Sequence, residues 1–113
     1  MTQRAANYTH ADLDRVIVRD FGRAEETHVK EILARYGNET WHREVLRVHM
    51  ACLRCADGDI ARLERDVAVA CTDYRDVLVS AEYPAYFQAV TDDERRAAVE
   101  SDWQQLQAWL DRE

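Results

Sequence analysis

Ile60–Glu82, IARLERDVAVACTDYRDVLVSAE, carries apolar residues at Ile60, Leu63, Val67, Ala70, Tyr74, Val77 and Ala81, alternating by three and four without a miss. That alternation holds one stripe on one side of an α-helix, because each residue advances about 100° around the axis. Arg62, Arg65, Asp66, Asp73, Arg75 and Asp76 lie outside the stripe and leave a charged outer face. The run predicts one helix to about Glu82. Such a seam serves equally for packing within a bundle or for a coiled-coil interface between chains.

Working outward, the breakers set the other boundaries. Helix interiors exclude Pro and disfavour Gly, and the chain has only Gly22, Gly37, Gly58 and Pro84. Asp57-Gly58-Asp59 ends one helix and caps the next, with Asp59 placed to accept first-turn N–H groups. Upstream, Trp41, Val45, Leu46, Val48, Cys52, Leu53 and Ala56 fall on helical spacings, which predicts a helix over about 39–56 with Asn38 as its N-cap. Gly37 then sits where a left-handed residue stops the preceding helix, at about 23–36. Leu13, Val16 and Ile17 are out of register with Val29, Ile32, Leu33 and Tyr36, so a break at Phe21-Gly22 separates a short first helix from the second. Thr9 with Asp12, and Thr91 with Glu94, have capping-box spacing. The second box opens a helix to about Asp111 with Val99, Trp103, Leu106 and Leu110 on one side. The fold class expected is all-α, a compact antiparallel bundle of four long helices plus a short N-terminal one, in a single domain over 1–113. The first few and last two residues read as loose.

At 113 residues, such a chain buries enough surface to fold without disulfides or metals. Fifteen basic and 22 acidic side chains give a net charge of −7, which opposes phosphate neutralisation and predicts no nucleic-acid partner and no attraction to an anionic membrane surface. No uncharged apolar run approaches the ~20 residues that span a bilayer. The first residues, MTQRAANYTHADLDR, lack the apolar stretch of a secretory signal, so a cytoplasmic location is expected. Cys52, Cys55 and Cys71, odd in number, read as reduced thiols.

Chemistry-bearing residues are sparse. Glu25/His28 and Glu39/His42 are two Glu-x-x-His pairs, a spacing that supplies metal ligands in carboxylate-bridged bundles, but helical rise staggers the two along neighbouring helices. Glu25, His28, His49 and Cys52 fall at more similar distances, about 14 to 22 Å from the Gly37 turn. Glu64 comes near the same layer. A carboxylate, two imidazoles and a thiolate suit a zinc-like divalent metal, and the alternative is histidines paired with glutamate beside a cysteine packed as a hydrophobe. Cys52-Leu-Arg-Cys55 falls late in its helix, whereas a redox CxxC opens one. No phosphate loop, nucleophile elbow or HExxH occurs, so neither a catalytic residue nor a cofactor is expected and the protein reads as non-enzymatic.

Association is the remaining class. Trp103–Leu110, WQQLQAWL, carries no charge in a chain that is 33% charged, and charge depletion with aromatics marks interface cores. Trp103 and Trp109 are six apart and do not share one core line, which leaves Trp109 partly exposed; Leu110 completes this face. Tyr83-Pro-Ala-Tyr86-Phe87 is either a docking knob or an aromatic plug closing the bundle. Trp103, Trp109, Leu110, Tyr86 and Phe87 are therefore the candidate contact residues, for a homodimer or another protein partner.

Asp73–Pro84, DYRDVLVSAEYP, behind the Asp57-Gly58-Asp59 turn, resembles a segment of small bacterial helical proteins. The likeness spans about 21–84 and implies a helical fold and a bacterial source, with no activity or site residue attached.

Overall fold

Both capping boxes form. The Asp12 N–H donates to Thr9 Oγ1 at 3.1 Å and the Thr9 N–H donates to Asp12 Oδ2 at 3.0 Å, opening α1, His10–Phe21. Thr91 and Glu94 repeat the arrangement at the start of α6, Asp92–Asp111. Between them the computed structural model, which describes residues 7–113, has a 3-10 turn at Arg23–Glu25, α2 at Glu26–Leu33, α3 at Val45–Ala56, α4 at Ile60–Glu82 and α5 at Pro84–Gln88. The chain is all-helical, with no strand among the described residues. The expectation of loose first residues lies outside them.

The α4 stripe faces inward. Leu63, Val67, Ala70, Val77 and Ala81 are buried and Ile60 and Tyr74 pack beside them, so the seam lies within the chain. It meets α3, with which α4 makes its most extensive contact, through Val48, Cys52, Leu53 and Ala56. Val16 and Ile17 of α1 and Val29, Ile32 and Leu33 of α2 close the same core. Gly58 marks how tightly these elements meet. Its φ is +81°, and a Cβ there would lie 2.8 Å from the Asp20 carbonyl oxygen at the end of α1.

Four expectations need correction. The helix expected over 39–56 begins only at Val45, because Glu44 is left-handed (φ 47°) and the loop before it satisfies its polar groups with side chains. Asn38, expected as its N-cap, instead donates through Nδ2 to the Ala34 carbonyl at 2.8 Å and closes the end of α2, which starts three residues later and stops three residues earlier than expected. Asp73 breaks α4 with extended dihedrals (φ −153°, ψ 102°) and accepts the Arg75 N–H at 3.1 Å, which makes it an N-cap inside a nominally continuous helix. Finally, residues 112–113 are not loose as a pair. The Arg112 carbonyl accepts from Arg15 at 3.3 Å and from Arg19 at 2.8 Å.

Candidate functional site

Glu82 and Asp102 are the two buried acidic side chains among the described residues, and they flank one corner, where α4 turns into α5. Glu82 ends α4 and is gripped by Arg47 of α3, whose Nε lies 3.0 and 2.9 Å from its two oxygens and whose second nitrogen lies 2.5 Å away. Arg47 also reaches Glu44. The Glu82 carboxylate holds the Arg47 guanidinium well above the usual arginine range. Arg54 donates to the Ala81 carbonyl one residue earlier. Asp102, on α6, accepts the Tyr86 N–H at 2.9 Å and the Ala85 N–H at 3.2 Å, so a carboxylate from another helix caps the start of α5. On the far side of α5, Glu94 Oε2 accepts the Val90 N–H at 2.8 Å and the Thr91 N–H at 3.3 Å, bonds that lower its pKa.

The clamped segment itself is only half-buried, at Pro84 and Tyr86. No residue of α5 is buried. Phe87 is 72% exposed and Val90 77%, the most exposed large apolar side chains among the described residues. Phe87 and Pro84 border a depression of about 300 Å³ completed by Asp76, Val79, Ser80 and Gln88. An exposed benzyl ring and a hollow that it borders therefore lie side by side.

The other candidate contact residues divide. Tyr86 is half-buried beside Phe87. Trp109, expected to be partly exposed, is buried at 4%. The correction has a physical cause in α1: Arg19 lies over the Trp109 ring at 5.2 Å and donates to the carbonyls of Trp109 and Arg112, while Arg15 donates to that of Leu110 at 2.6 Å. The last turn of α6 has no basic residue of its own, and α1 supplies the cations that its carbonyl end attracts. Trp103 and Leu110 are half-buried, Leu110 against the core. Leu106 and Trp109 of the uncharged run 103–110 thus dock α6 within the chain, while Gln104, Gln105 and Ala108 stay exposed. The inward stripe is Ala98, Asp102, Leu106 and Trp109, one residue round from the expected Val99, Trp103, Leu106 and Leu110.

The residues considered as metal ligands are dispersed. Glu25 and His28 pair with each other at 3.3 Å on the surface. His49 Nε2 lies 2.8 Å from the Tyr36 carbonyl, and burial lowers its pKa. Cys52 is fully buried and desolvation pushes its thiol well above the usual range, while burial raises that of Cys55 to about 11. Glu64 pairs with Arg35. No group of three or more His, Cys, Asp or Glu side chains that could hold a metal ion occurs among the described residues. Both thiols of the Cys52/Cys55 pair are thus raised, opposite to the direction that activates a redox CxxC. No helix is long and apolar enough to cross a membrane among the described residues.

Asp102 and Arg47 were not singled out by sequence, although one signal existed; Glu82, which reads from sequence as charged outer surface together with Asp73, Arg75 and Asp76, is instead buried because Arg47 pairs with it. Asp102 lies four residues after Ala98 and four before Leu106, a carboxylate inside an apolar stripe. No protein family, curated protein or solved structure matches the chain.

Proposed function

We propose that this protein acts by non-enzymatic association, that its docking face is the α4–α5 corner, and that the occupant is a second copy of the chain. One observation carries the reading. A five-residue helix with no fully buried residue is fixed at its first turn by a buried carboxylate, while its Phe87 is left exposed. Burying a carboxylate is costly unless it is well bonded, and here the bonds serve only to place α5. A fixed apolar knob is pre-organised for contact, since little ordering remains to be done on binding.

The ring and the hollow beside it favour a second copy. In a two-fold dimer the same patch faces itself, so each Phe87 can enter the other chain's depression. Phe87, at 72% exposure, offers on the order of 150 Å² of apolar surface, so the two rings of a dimer together contribute about 8 kcal/mol at ~25 cal/mol per Å². Set against the low end of the ~4–15 kcal/mol opposing association, that leaves about 4 kcal/mol, a weak, concentration-dependent dimer near millimolar.

Sedimentation velocity over a wide concentration range tests this. The wild type should shift toward dimer near millimolar concentration or below, and Phe87→Glu should stay monomeric with unchanged helicity and melting temperature. A wild type that is monomeric throughout, or a dimer indifferent to Phe87→Glu, overturns the reading.

A further inference from the structure

Residues 37–44, between α2 and α3, are held by side chains instead of a ladder of backbone bonds. His42 Nδ1 accepts two N–H groups, from Gly37 at 2.7 Å and from Glu39 at 3.2 Å. An imidazole nitrogen that accepts carries no proton, so the ring proton is on Nε2, which is buried without a partner. The ring is stacked on Tyr36, centroids 4.2 Å apart and planes 21° from parallel, and Trp41 meets it edge-on at 4.2 Å. Tyr36 is itself tied to the end of the loop. Its hydroxyl donates to the Arg43 carbonyl at 2.7 Å and accepts the Arg43 N–H at 2.9 Å. One aromatic pair therefore closes both ends of the segment.

We infer that His42 is a proton-operated latch: residues 37–44 close over Tyr36 only while Nδ1 is unprotonated, and a proton taken up there releases the loop. Protonation would turn the acceptor into a donor facing two donors, so both bonds are lost together. Imidazole is the side chain that titrates in this pH range unaided. The titratable groups around it are Tyr36 on one ring face, Glu39 in the loop, His49 of α3 beyond Tyr36 at 6.3 Å between centroids, and Cys71 and Tyr74 of α4, which also neighbour Tyr36. The charged side chains that follow are Arg43 and Glu44, the latter engaged by Arg47. His49 does not share the latch geometry, since its Nε2 donates to the Tyr36 carbonyl and does so whether or not the ring is charged.

A loop that closes only with Nδ1 unprotonated opens more readily as acid is added, by at most tenfold per pH unit, and a change of about tenfold is expected between pH 7.5 and 5.5. Amide hydrogen exchange on the full chain, corrected for intrinsic rates, reads this directly. Protection at Gly37 and Glu39 should fall about tenfold in the wild type, stay level in His42→Asn, whose amide oxygen accepts without titrating, and still fall in His49→Gln. The amides of Leu63 and Val67 should not move. Equal protection at both pH values overturns the latch, and so does a fall that survives His42→Asn or vanishes in His49→Gln. Should His42→Asn fail to fold, the wild-type ring titration decides: the midpoint from the His42 ¹⁵N shifts must coincide with that of the Gly37 amide, and separate midpoints refute the coupling.

Discussion

Asp102→Asn is the sharpest probe of the corner, because it preserves the shape and removes one acceptor. The carboxylate presents one oxygen to the Tyr86 N–H at 2.9 Å and the other to the Ala85 N–H at 3.2 Å. Asparagine keeps a single oxygen there, and its NH₂ group must face whichever N–H remains. One charge-assisted bond is lost, on a scale of about 1.5–3 kcal/mol, and the surviving bond becomes a neutral one. Helix-capping changes give about 0.5–2 kcal/mol. Asp102 is only 3% exposed, so water does little to replace the missing partner and the overlap of the two ranges applies, about 2 kcal/mol. For a domain of this size that corresponds to a fall of ~8 °C in melting temperature. Urea unfolding followed by circular dichroism gives the first number and a thermal scan the second. Hydrogen exchange locates the damage, which should appear at Ala85 and Tyr86 before it appears in α4. The association reading adds a consequence: Asp102→Asn should weaken the dimer although Asp102 touches no partner. Unchanged stability together with undiminished protection at Ala85 and Tyr86 would refute the claim that this carboxylate holds α5 in place.

Gly58→Ala should destabilise the fold by roughly 1–3 kcal/mol more than Gly22→Ala. Both glycines have positive φ, but only at Gly58 does the new Cβ meet backbone, the Asp20 carbonyl oxygen at 2.8 Å, so equal urea midpoints for the two variants would dismiss that contact. Thiol labelling at pH 8 should leave Cys52 unmodified and Cys55 lagging in the native protein, since one is sealed and the other's thiol sits at about 11, with both reacting promptly in urea; rapid native modification of all three cysteines contradicts this. His49 should make stability fall with acid. Its pKa is lowered by burial, so between the folded and unfolded values the unfolded chain holds the extra proton; stability is complete above the unfolded value of ~6.5 and is lost as pH drops toward the folded one. The slope cannot exceed about 1.4 kcal/mol per pH unit, and His49→Gln should flatten it in a pH series of urea melts.

Much of the helical layout was legible because it rests on local signals. The boxes at Thr9 and Thr91, the turn at Gly58 and the seam from Ile60 to Ala81 each depend on residues within a turn or two of one another. Legibility fails where a side chain from elsewhere takes over a local task. Residues 39–44 read as helix from the spacing of Trp41 and Val45, yet His42 and the Tyr36 hydroxyl satisfy their N–H groups better in a loop. Trp109 read as exposed because helical phase alone could not foresee Arg19 crossing from α1 to cover it. At Asp73 a signal was present. Asp at an N-cap with Asp76 three residues on is a weak capping box, but it lies within an apolar seam whose period continues through the kink.

The placement of the two buried acids connects these points to function. A buried ion pair such as Arg47–Glu82 contributes little net stability compared with an apolar pair of the same volume, because desolvation of both charges offsets most of the attraction. What such a pair does contribute is geometry: the arginine fork fixes where the last turn of α4 lies relative to α3. Asp102 fixes α5 relative to α6 in the same way. A plain aromatic plug, needed only to close the end of the bundle, would turn Phe87 inward and use apolar contact, which is cheaper and non-directional. Here the ring is exposed and the directional bonds hold the first turn of its helix. Of the two roles open to Tyr83–Phe87, that arrangement favours the docking knob.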